Sequence, residues 1–418
     1  MGAELKSGRP LLPVEDSLDE LARLAETAGL AVVGRTFQRF EHPHQATFIG
    51  PGKVDEVKHL VEELDASVII FDDELSPRHQ RELEIAFGEK VKLLDRTALI
   101  LDIFAQHAHT REGMLQVELA QLEYRLPRLT RMWTHLARQA GKTGGGVGVR
   151  GPGEMQIEID RRLIRQRIAF LEKQLDQVRA HRSRHRQQRR QTELLVVAIV
   201  GYTNAGKSTL LNCLSGADIY SADMLFATLD PTTRRVRMPG GREVLFTDTV
   251  GFIQKLPTQI VAAFRATLEE IGEADILLHV VDATHPQAQA QIEAVEDTLA
   301  ELEVEHLPMI VALNKCDLLP EGTDPFSLFE LALPTVAISA ATGAGKEMLL
   351  AAVEAATESY LTLVRVLLPY ERGDLLSLFH ERGQVDHEEH TADGVLVRGR
   401  VPTRLLSNFQ EFLDGKGR

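Results

Sequence analysis

The sequence predicts a multidomain α/β protein, and three observations carry that prediction. Strand-like and helix-like runs alternate over the first hundred residues and again over roughly 194–360. Between these two stretches the apolar residues switch to heptad spacing. A length of 418 residues is also too long for one core, at about 100–200 residues per domain. A hydrophobic fraction of 44% and a charged fraction of 26% exclude a mostly disordered chain.

In the first stretch AVVGRTF (31–37) is rich in strand formers. Val54, Val57, Leu60, Val61 and Leu64 recur at helical spacing within 51–64. SVIIFDD (67–73) reads as a buried strand and VKLLD (91–95) as a third. Between them SPRHQRELEIAF (76–87) opens with a serine cap and a proline in the first helical turn. Strands alternating with helices give a small parallel α/β domain, placed at residues 1–112.

Residues 113–192 form the heptad region. Leu115, Leu119, Leu122, Leu126, Leu129, Trp133 and Leu136 make one seam; Ile164, Ile168, Leu171, Leu175 and Val178 make another. Pro127 inside the first seam predicts a kink or break. GKTGGGVGVRGPG (141–153), with seven glycines in thirteen residues, joins the seams, so a long antiparallel helical pair with a flexible tip is expected. The tip carries Lys142 and Arg150 and no acid before Glu154. The second helix ends in RAHRSRHRQQRR (179–190), whose six arginines include Arg182, Arg184 and Arg186. An acid-free run of this kind favours contact with a phosphate backbone. The whole chain carries −14, yet Arg125–Arg190 holds seventeen Lys/Arg against five acids, or +12. A basic segment in an acidic protein points to a nucleic-acid partner met locally.

The second α/β stretch holds the strongest motifs. LLVVAIV (194–200) reads as a strand, and a helical run follows Ser208. Between them Gly201-Tyr202-Thr203-Asn204-Ala205-Gly206-Lys207-Ser208 is a G-x-x-x-x-G-K-[ST] pattern in its validating setting. Its backbone N–H groups cradle phosphate at a helix N-terminus. Lys207 is expected at the β- and γ-phosphates and Ser208 on Mg2+. Asp248-Thr249-Val250-Gly251 follows the strand 243–247. There Asp248 suits the metal and the Gly251 N–H suits the γ-phosphate. Asn314-Lys315-Cys316-Asp317 follows the strand 309–313, and a carboxylate there accepts the N1–H and 2-amino groups that only guanine offers together. Ser339-Ala340-Ala341 closes the base pocket. Each tetrapeptide alone is a weak signal, but in this order at strand ends they specify GTP and GDP. Residues 193–361 are therefore expected to form a Ras-like P-loop GTPase domain with Mg2+ as cofactor.

FATLDPTTRR (226–235) must supply a second Mg2+ ligand, with Thr228, Thr232 and Thr233 as candidates. Phe252 stands where Ras-like GTPases place a water-orienting glutamine, which predicts slow intrinsic hydrolysis accelerated by a large partner. Asn204 raises K+ as a further ion, and Arg234 and Arg235 are alternative charge donors. Residues 362–418 read as a small α+β domain: VRVLLP and GVLVRGRVP as strands, VDHEEHT as a further candidate strand, DLLSLFHERG and the tail as helices. The spacing of His380, His387 and His390 fits no defined metal site, so they are read as exposed histidines.

Two cysteines, Cys213 and Cys316, are too few for a disulfide framework and suggest a reducing compartment. No run of eighteen apolar residues or secretory signal is present, and Lys6 stands where a myristoylation start needs Ser or Thr. A cytoplasmic monomer with no membrane insertion is expected.

These residues resemble the HflX family of ribosome-associated, Obg-like GTPases over nearly the whole chain. The resemblance rests on TFIGPGKVDE (47–56), LLDRTALILDIFAQHAHTREGMLQVELAQLEYRLPRL (93–129), GGGVGVRGPGE (144–154), GYTNAGKSTLLN (201–212), FATLDPT (226–232), DTVGFI (248–253) and NKCD (314–317). Met155 departs from the threonine expected after GPGE. The resemblance implies a factor that binds the large ribosomal subunit and its rRNA. With GTP it splits stalled or hibernating ribosomes under stress, its glycine-rich tip approaching the peptidyl-transferase region. It selects Thr228 as the second Mg2+ ligand, and implies that Phe226, Ala227, Thr228, Leu229 and Asp230 contact GTP along with the motif residues above. Lys207, Thr228, Asp248 and Gly251 would carry catalysis. Two other readings compete. A signalling GTPase with a protein partner fits the basic arm poorly. An ATP- or GTP-dependent RNA-remodelling enzyme is opposed by the NKCD motif, and GPGK (50–53) is too short for a second phosphate loop.

Overall fold

The computed structural model describes residues 1–5, 13–132, 152–191, 194–216, 225–226, 228–255, 271–272, 274–329, 331–359, 361–402 and 405–413. The first layer is a parallel α/β unit. Strands β1 (Gly2–Leu5) and β2 (Phe37–Phe40) pair in parallel, as do β3 (Val68–Phe71) and β4 (Lys92–Asp95). Met1 joins the two pairs: its carbonyl accepts from Asp72 N at 2.9 Å and its amine donates to Ile70 O at 2.7 Å. The strands thus run in the order β2-β1-β3-β4. Around them lie α1 (Val14–Thr27), α2 (Pro51–Glu63), α3 (Pro77–Phe87) and α4 (Arg96–His107). Proline at the first turn starts α2 and α3, and Ser76 Oγ accepts from His79 N at 3.1 Å to cap the latter. Asp95 caps α4 through Ala98 N at 2.8 Å.

One expectation is corrected here, and one strand lay outside the expectations. Residues 31–36 hold no regular strand; the strand begins at Phe37. Strand β1 was not foreseen, because four residues of mixed polarity carry no alternation until a neighbour supplies hydrogen bonds.

The helical pair consists of α5 (Arg111–Met132) and α6 (Pro152–Gln191). Leu119, Leu171 and Leu175 are buried between them, with Leu115, Leu122 and Ile168 alongside, so the central part of the heptad seam forms as patterned. Arg167 clamps Glu118 through two hydrogen bonds of 2.7 and 2.8 Å. Of the kink or break expected at Pro127, the break does not occur: α5 runs through it. Proline costs one helical hydrogen bond but has a helical φ, and its neighbours fasten the turn. Arg128 bonds Tyr124 O, Leu75 O, Gln80 and Asp95, and Tyr124 donates to Asp95 at 2.8 Å. The tip at 141–151, with Lys142 and Arg150, and the seam residues Trp133 and Leu136 lie outside the described residues; Pro152 and Gly153 belong to α6. For Arg182, Arg184 and Arg186 only their place in the α6 backbone is described.

The largest sheet has the order β10-β9-β8-β5-β7-β6. Its strands are β5 (Leu195–Val200), β6 (Thr232–Arg237), β7 (Glu243–Asp248), β8 (Ile276–Asp282), β9 (Met309–Asn314) and β10 (Thr335–Ala337). All pair in parallel except β6, which runs antiparallel to β7 at the edge. Helices α7 (Lys207–Ser215), α8 (Ala288–Glu301) and α9 (Lys346–Ser359) connect or flank them. The runs of β5 and β8 are apolar because both faces are covered. Beyond α9, β11 (Leu361–Leu368), α10 (Gly373–Arg382), β12 (Gln384–Thr391), β13 (Gly394–Pro402) and the short α11 (Leu406–Phe409) make the expected α+β unit. Its antiparallel sheet has the order β11-β13-β12 around Val366, Phe379, Val397 and Phe409. There His380 bonds Glu388 at 2.7 Å and His390 stacks on Tyr370; no His/Cys/Asp/Glu cluster suited to a metal occurs among the described residues. Among them also, no helix is long and apolar enough to cross a membrane.

A single apolar cluster crosses from the first unit into the large sheet. Val14, Leu18, Leu99, Phe104 and Val117 pack in it with Val200, Tyr202, Phe226 and Phe252. The phosphate loop and the segments around it therefore rest on α1, α4 and α5.

Candidate nucleotide site

Strand β5 ends at Val200, and the chain then turns through Gly201 (φ 149°) and Asn204 (φ 61°) to Gly206 (φ 96°), which caps α7. At Gly201 and Gly206 these values call for glycine, while asparagine tolerates the left-handed φ of Asn204. A Cβ on Gly201 would overlap Val280 O, and one on Gly206 would overlap Asn314 Nδ2. Lys207 is buried at the start of α7, its ammonium donating to Gly201 O at 3.1 Å and Tyr202 O at 2.8 Å. Burial lowers its pKa to about 8, with Asp248 opposing the shift.

Three oxygens from three segments meet beside it. Ser208 Oγ lies 2.7 Å from Thr228 Oγ1 and 2.7 Å from Asp248 Oδ2. Asp248 Oδ1 is buried and has no hydrogen-bond partner among the described residues. Burial pushes the Asp248 carboxyl up, against the pull of Lys207 and Ser208. An all-oxygen set with one lone carboxylate oxygen fits a hard divalent cation, and Mg2+ is the ion GTPases use. The fold also separates the three threonine candidates. Thr233 is tied to Thr247 across β6 and β7 at 3.0 Å and Thr232 starts the edge strand, while Thr228 alone of the three joins Ser208. Arg234 bonds Thr233 O, and Arg235 pairs with Glu243 at 3.4 Å on that same edge.

Gly251 lies so close to the phosphate loop that a Cβ would sit 2.9 Å from Thr203 Cα and 3.0 Å from Lys207 Nζ. Thr249 Oγ1 donates to Ile199 O at 2.7 Å, anchoring the turn before it. Phe252 then bridges to the loop: its N–H donates to Gly201 O at 3.1 Å, and its carbonyl accepts from Thr203 N at 2.7 Å. Its ring is 2% exposed and lies in the shared apolar cluster. It fills space between units where a glutamine would have oriented water.

On the base side, Asn314 donates to Ala205 O at 2.8 Å and accepts from Ala340 N at 2.9 Å, joining the phosphate loop to the Ser339-Ala340-Ala341 turn. Ser339 Oγ accepts from Thr342 N at 3.1 Å. Lys315 (φ 63°) pairs with Asp282 at 2.7 Å; Cys316 N donates to Ile338 O, and Asp317 is exposed. Asp282 was not anticipated, although its position at the end of β8 beside Asn314 was legible as a strand end. Nor was His279, a buried histidine inside the apolar run of β8.

Other expected contacts point elsewhere. The Tyr202 hydroxyl accepts from Gln254 N at 2.9 Å and donates to Glu20 of α1 at 2.5 Å. The Phe226 ring packs edge-on against Phe104 at 4.7 Å, Leu229 is buried in the same cluster, and Asp230 bonds the start of α5. At these four positions the side chain serves the neighbouring unit, which leaves the backbone for a nucleotide. Ala227 lies outside the described residues, and Val250 is buried.

A phosphate loop, an oxygen cluster suited to Mg2+ and a wall built on Asn314 lie together at the C-terminal ends of a mostly parallel sheet, and that combination defines a P-loop GTPase. Comparison with known proteins carries the assignment further. A family described as GTP-binding GTPase N-terminal matches residues 15–105, one described as GTP-binding GTPase Middle Region matches 107–189, and one described as 50S ribosome-binding GTPase matches 196–315. The chain is 46% identical to GTPase HflX of Caldanaerobacter subterraneus over 96% of its length and 90% of the relative. It is 47% identical to that of Magnetococcus marinus (96% and 91%) and 42% identical to that of Escherichia coli (93% and 90%). Among solved structures, a complex of SsGBP with GDP aligns at a TM-score of 0.47 and 26% identity, over 85% of this chain and 98% of that one. The chain belongs to the HflX family of GTPases and hydrolyses GTP.

Proposed function

We propose that this GTPase binds the large ribosomal subunit, with the helical pair as the end that meets rRNA, and that GTP binding drives it to split or rescue stalled or hibernating ribosomes under stress. The observation that carries the reading is the +12 segment Arg125–Arg190, whose described residues lie in α5 and α6 and which precedes β5 of the GTPase sheet in the chain. The family matched over 196–315 is described as 50S ribosome-binding, which supports the same partner.

The chemistry follows from the site's own residues. Backbone N–H groups of 201–208 hold the phosphates, Lys207 neutralises the β- and γ-oxygens, and the Gly251 N–H reaches the γ-phosphate. Ser208, Thr228 and Asp248 would hold Mg2+, directly or through water, and the bound ion supplies charge stabilisation on the transferred phosphoryl group. Asp317 and Lys315 read the guanine. With Phe252 committed to the apolar cluster, water orientation comes from the ribosome, so turnover is slow until it binds. K+ beside Asn204 is a second cofactor in this reading, and equal hydrolysis rates in K+ and Na+ would remove it.

A subunit-splitting assay tests the proposal by comparing the full chain with one lacking residues 141–153. Loss of splitting with GTP binding retained supports it; a fully active deletion overturns the role of the tip.

A further inference from the structure

Asp230 stands two residues after Thr228, yet its carboxylate is engaged far away in the chain. Oδ2 accepts from His109 N at 2.8 Å and from Thr110 N at 2.7 Å, and Oδ1 accepts from the Thr110 hydroxyl. Thr110 in turn accepts from Gly113 N at 3.0 Å, closing the first turn of α5. The carboxylate also faces the positive end of that helix, where anions are favoured. Gly113 makes room for it: a Cβ there would lie 2.5 Å from Asp230 Oδ1. On the other side of Thr228, Leu225 and Phe226 are pinned in the cluster against α4. Thr228 itself is drawn inward to Ser208. The segment that senses the third phosphate is thus fastened at both ends to the elbow between α4 and α5, and α5 is the first helix of the arm.

We propose that Asp230 is a positioning residue that couples the two: Thr228 holds its place beside Ser208 and Asp248 only while the first turn of α5 is seated on the Asp230 carboxylate. This rests on the reading of the helical pair as the ribosome-facing end. A shift of the arm then reaches the Mg2+ site through two residues of backbone, and closure around GTP reaches the arm by the same route. Because the coupling is a free energy shared by both sites, it acts equally in each direction.

The test uses the full chain in three forms: Asp230→Ala, Gly113→Ala and the double variant. Affinities for GDP and for a non-hydrolysable GTP analogue are measured with Mg2+, and GTP hydrolysis is measured with and without purified large ribosomal subunits. GDP does not require Thr228 to close, so the ratio of the two affinities reports the coupling, whereas general destabilisation lowers both alike. Gly113→Ala also favours the helix by propensity, so a loss there is not helix failure. Each single variant is expected to lose about fivefold or more in analogue affinity relative to GDP. The double variant is expected to lose no more than the worse single one, since both break the same contact. An unchanged ratio in either single variant, or losses that multiply, overturns the inference. If subunits fail to accelerate the unaltered chain, the ribosome reading falls, while the affinity ratios still decide the role of Asp230.

Discussion

Lys255, three residues beyond Phe252, reaches out of the GTPase sheet to Asp72 at the end of β3, with Nζ 2.6 Å from Oδ2 and 2.8 Å from Asp73 Oδ1. Asp72 is 1% exposed and also accepts from Ser17 at 2.6 Å and Arg96 at 2.7 Å. Arg96 binds Glu20, which holds the Tyr202 hydroxyl of the phosphate loop. The ends of a parallel sheet are where α/β proteins receive ligands; here they receive a side chain from the segment that follows the γ-phosphate motif.

Lys255→Met should therefore loosen the two units while keeping the aliphatic stem. Burial works to lower the Lys255 pKa, but Asp72 and Asp73 outweigh it and raise the value. The stabilisation is fully present below the unfolded lysine value and is lost as pH rises through the folded one. With the lysine partly exposed, the expected cost is about 1–2 kcal/mol. Denaturant unfolding of the nucleotide-free protein measures it, and an unchanged midpoint at neutral pH would count against the pair as a structural tie.

His279 predicts the opposite pH dependence. It is buried, its Nδ1 has no hydrogen-bond partner among the described residues, and burial, with Lys207 adding to it, lowers its pKa from 6.5 to about 4. Between those values the unfolded chain binds one proton more than the folded one, so stability falls as the solution is acidified. The loss is roughly 3 kcal/mol across the window. In His279→Leu this acid limb should flatten; an unaltered slope would show that other groups dominate.

Gly251→Ala places a methyl against backbone that cannot yield, Thr203 Cα, and against Lys207 Nζ. GDP binding should weaken less than binding of a GTP analogue, because Lys207 and the phosphate loop serve both nucleotides while the Gly251 N–H serves only the third phosphate. Single-turnover GTP hydrolysis should fall about a hundredfold, the scale of losing one preorganised N–H donor. Retained hydrolysis would place the γ-phosphate elsewhere.

Asp317→Asn exchanges a double acceptor for a mixed donor and acceptor. Guanine then meets an unmatched 2-amino group, and affinity for GTP should drop about a thousandfold or more. Xanthosine triphosphate, which carries an oxygen at that position, should bind better than GTP does. Competition binding with the two nucleotides checks both halves of the expectation.

The chemistry of the site was largely legible in the amino-acid sequence, because its parts are contiguous. The loop 201–208, Asp248–Gly251 and Asn314–Asp317 each follow an apolar strand, and the physics of a strand end turning into a phosphate- or base-facing loop is local. The heptad seams likewise predicted α5 and α6 from spacing alone. The unforeseen β1 lacks any such local signal, and the continuity of α5 through Pro127 depended on Tyr124 and Arg128 finding partners on other segments.

What the sequence by itself determined is the nucleotide chemistry and the division into alternating and heptad segments, since both are set by residues within a few positions of one another. The fold agrees with Thr228, which the resemblance had selected; only the tertiary structure decided that Phe226 and Tyr202 turn toward the first unit, and that Asp230 and Lys255 reach partners 120 and 183 residues away. Such contacts arise when two independently patterned surfaces are packed together, and no periodicity along either one specifies the pairing.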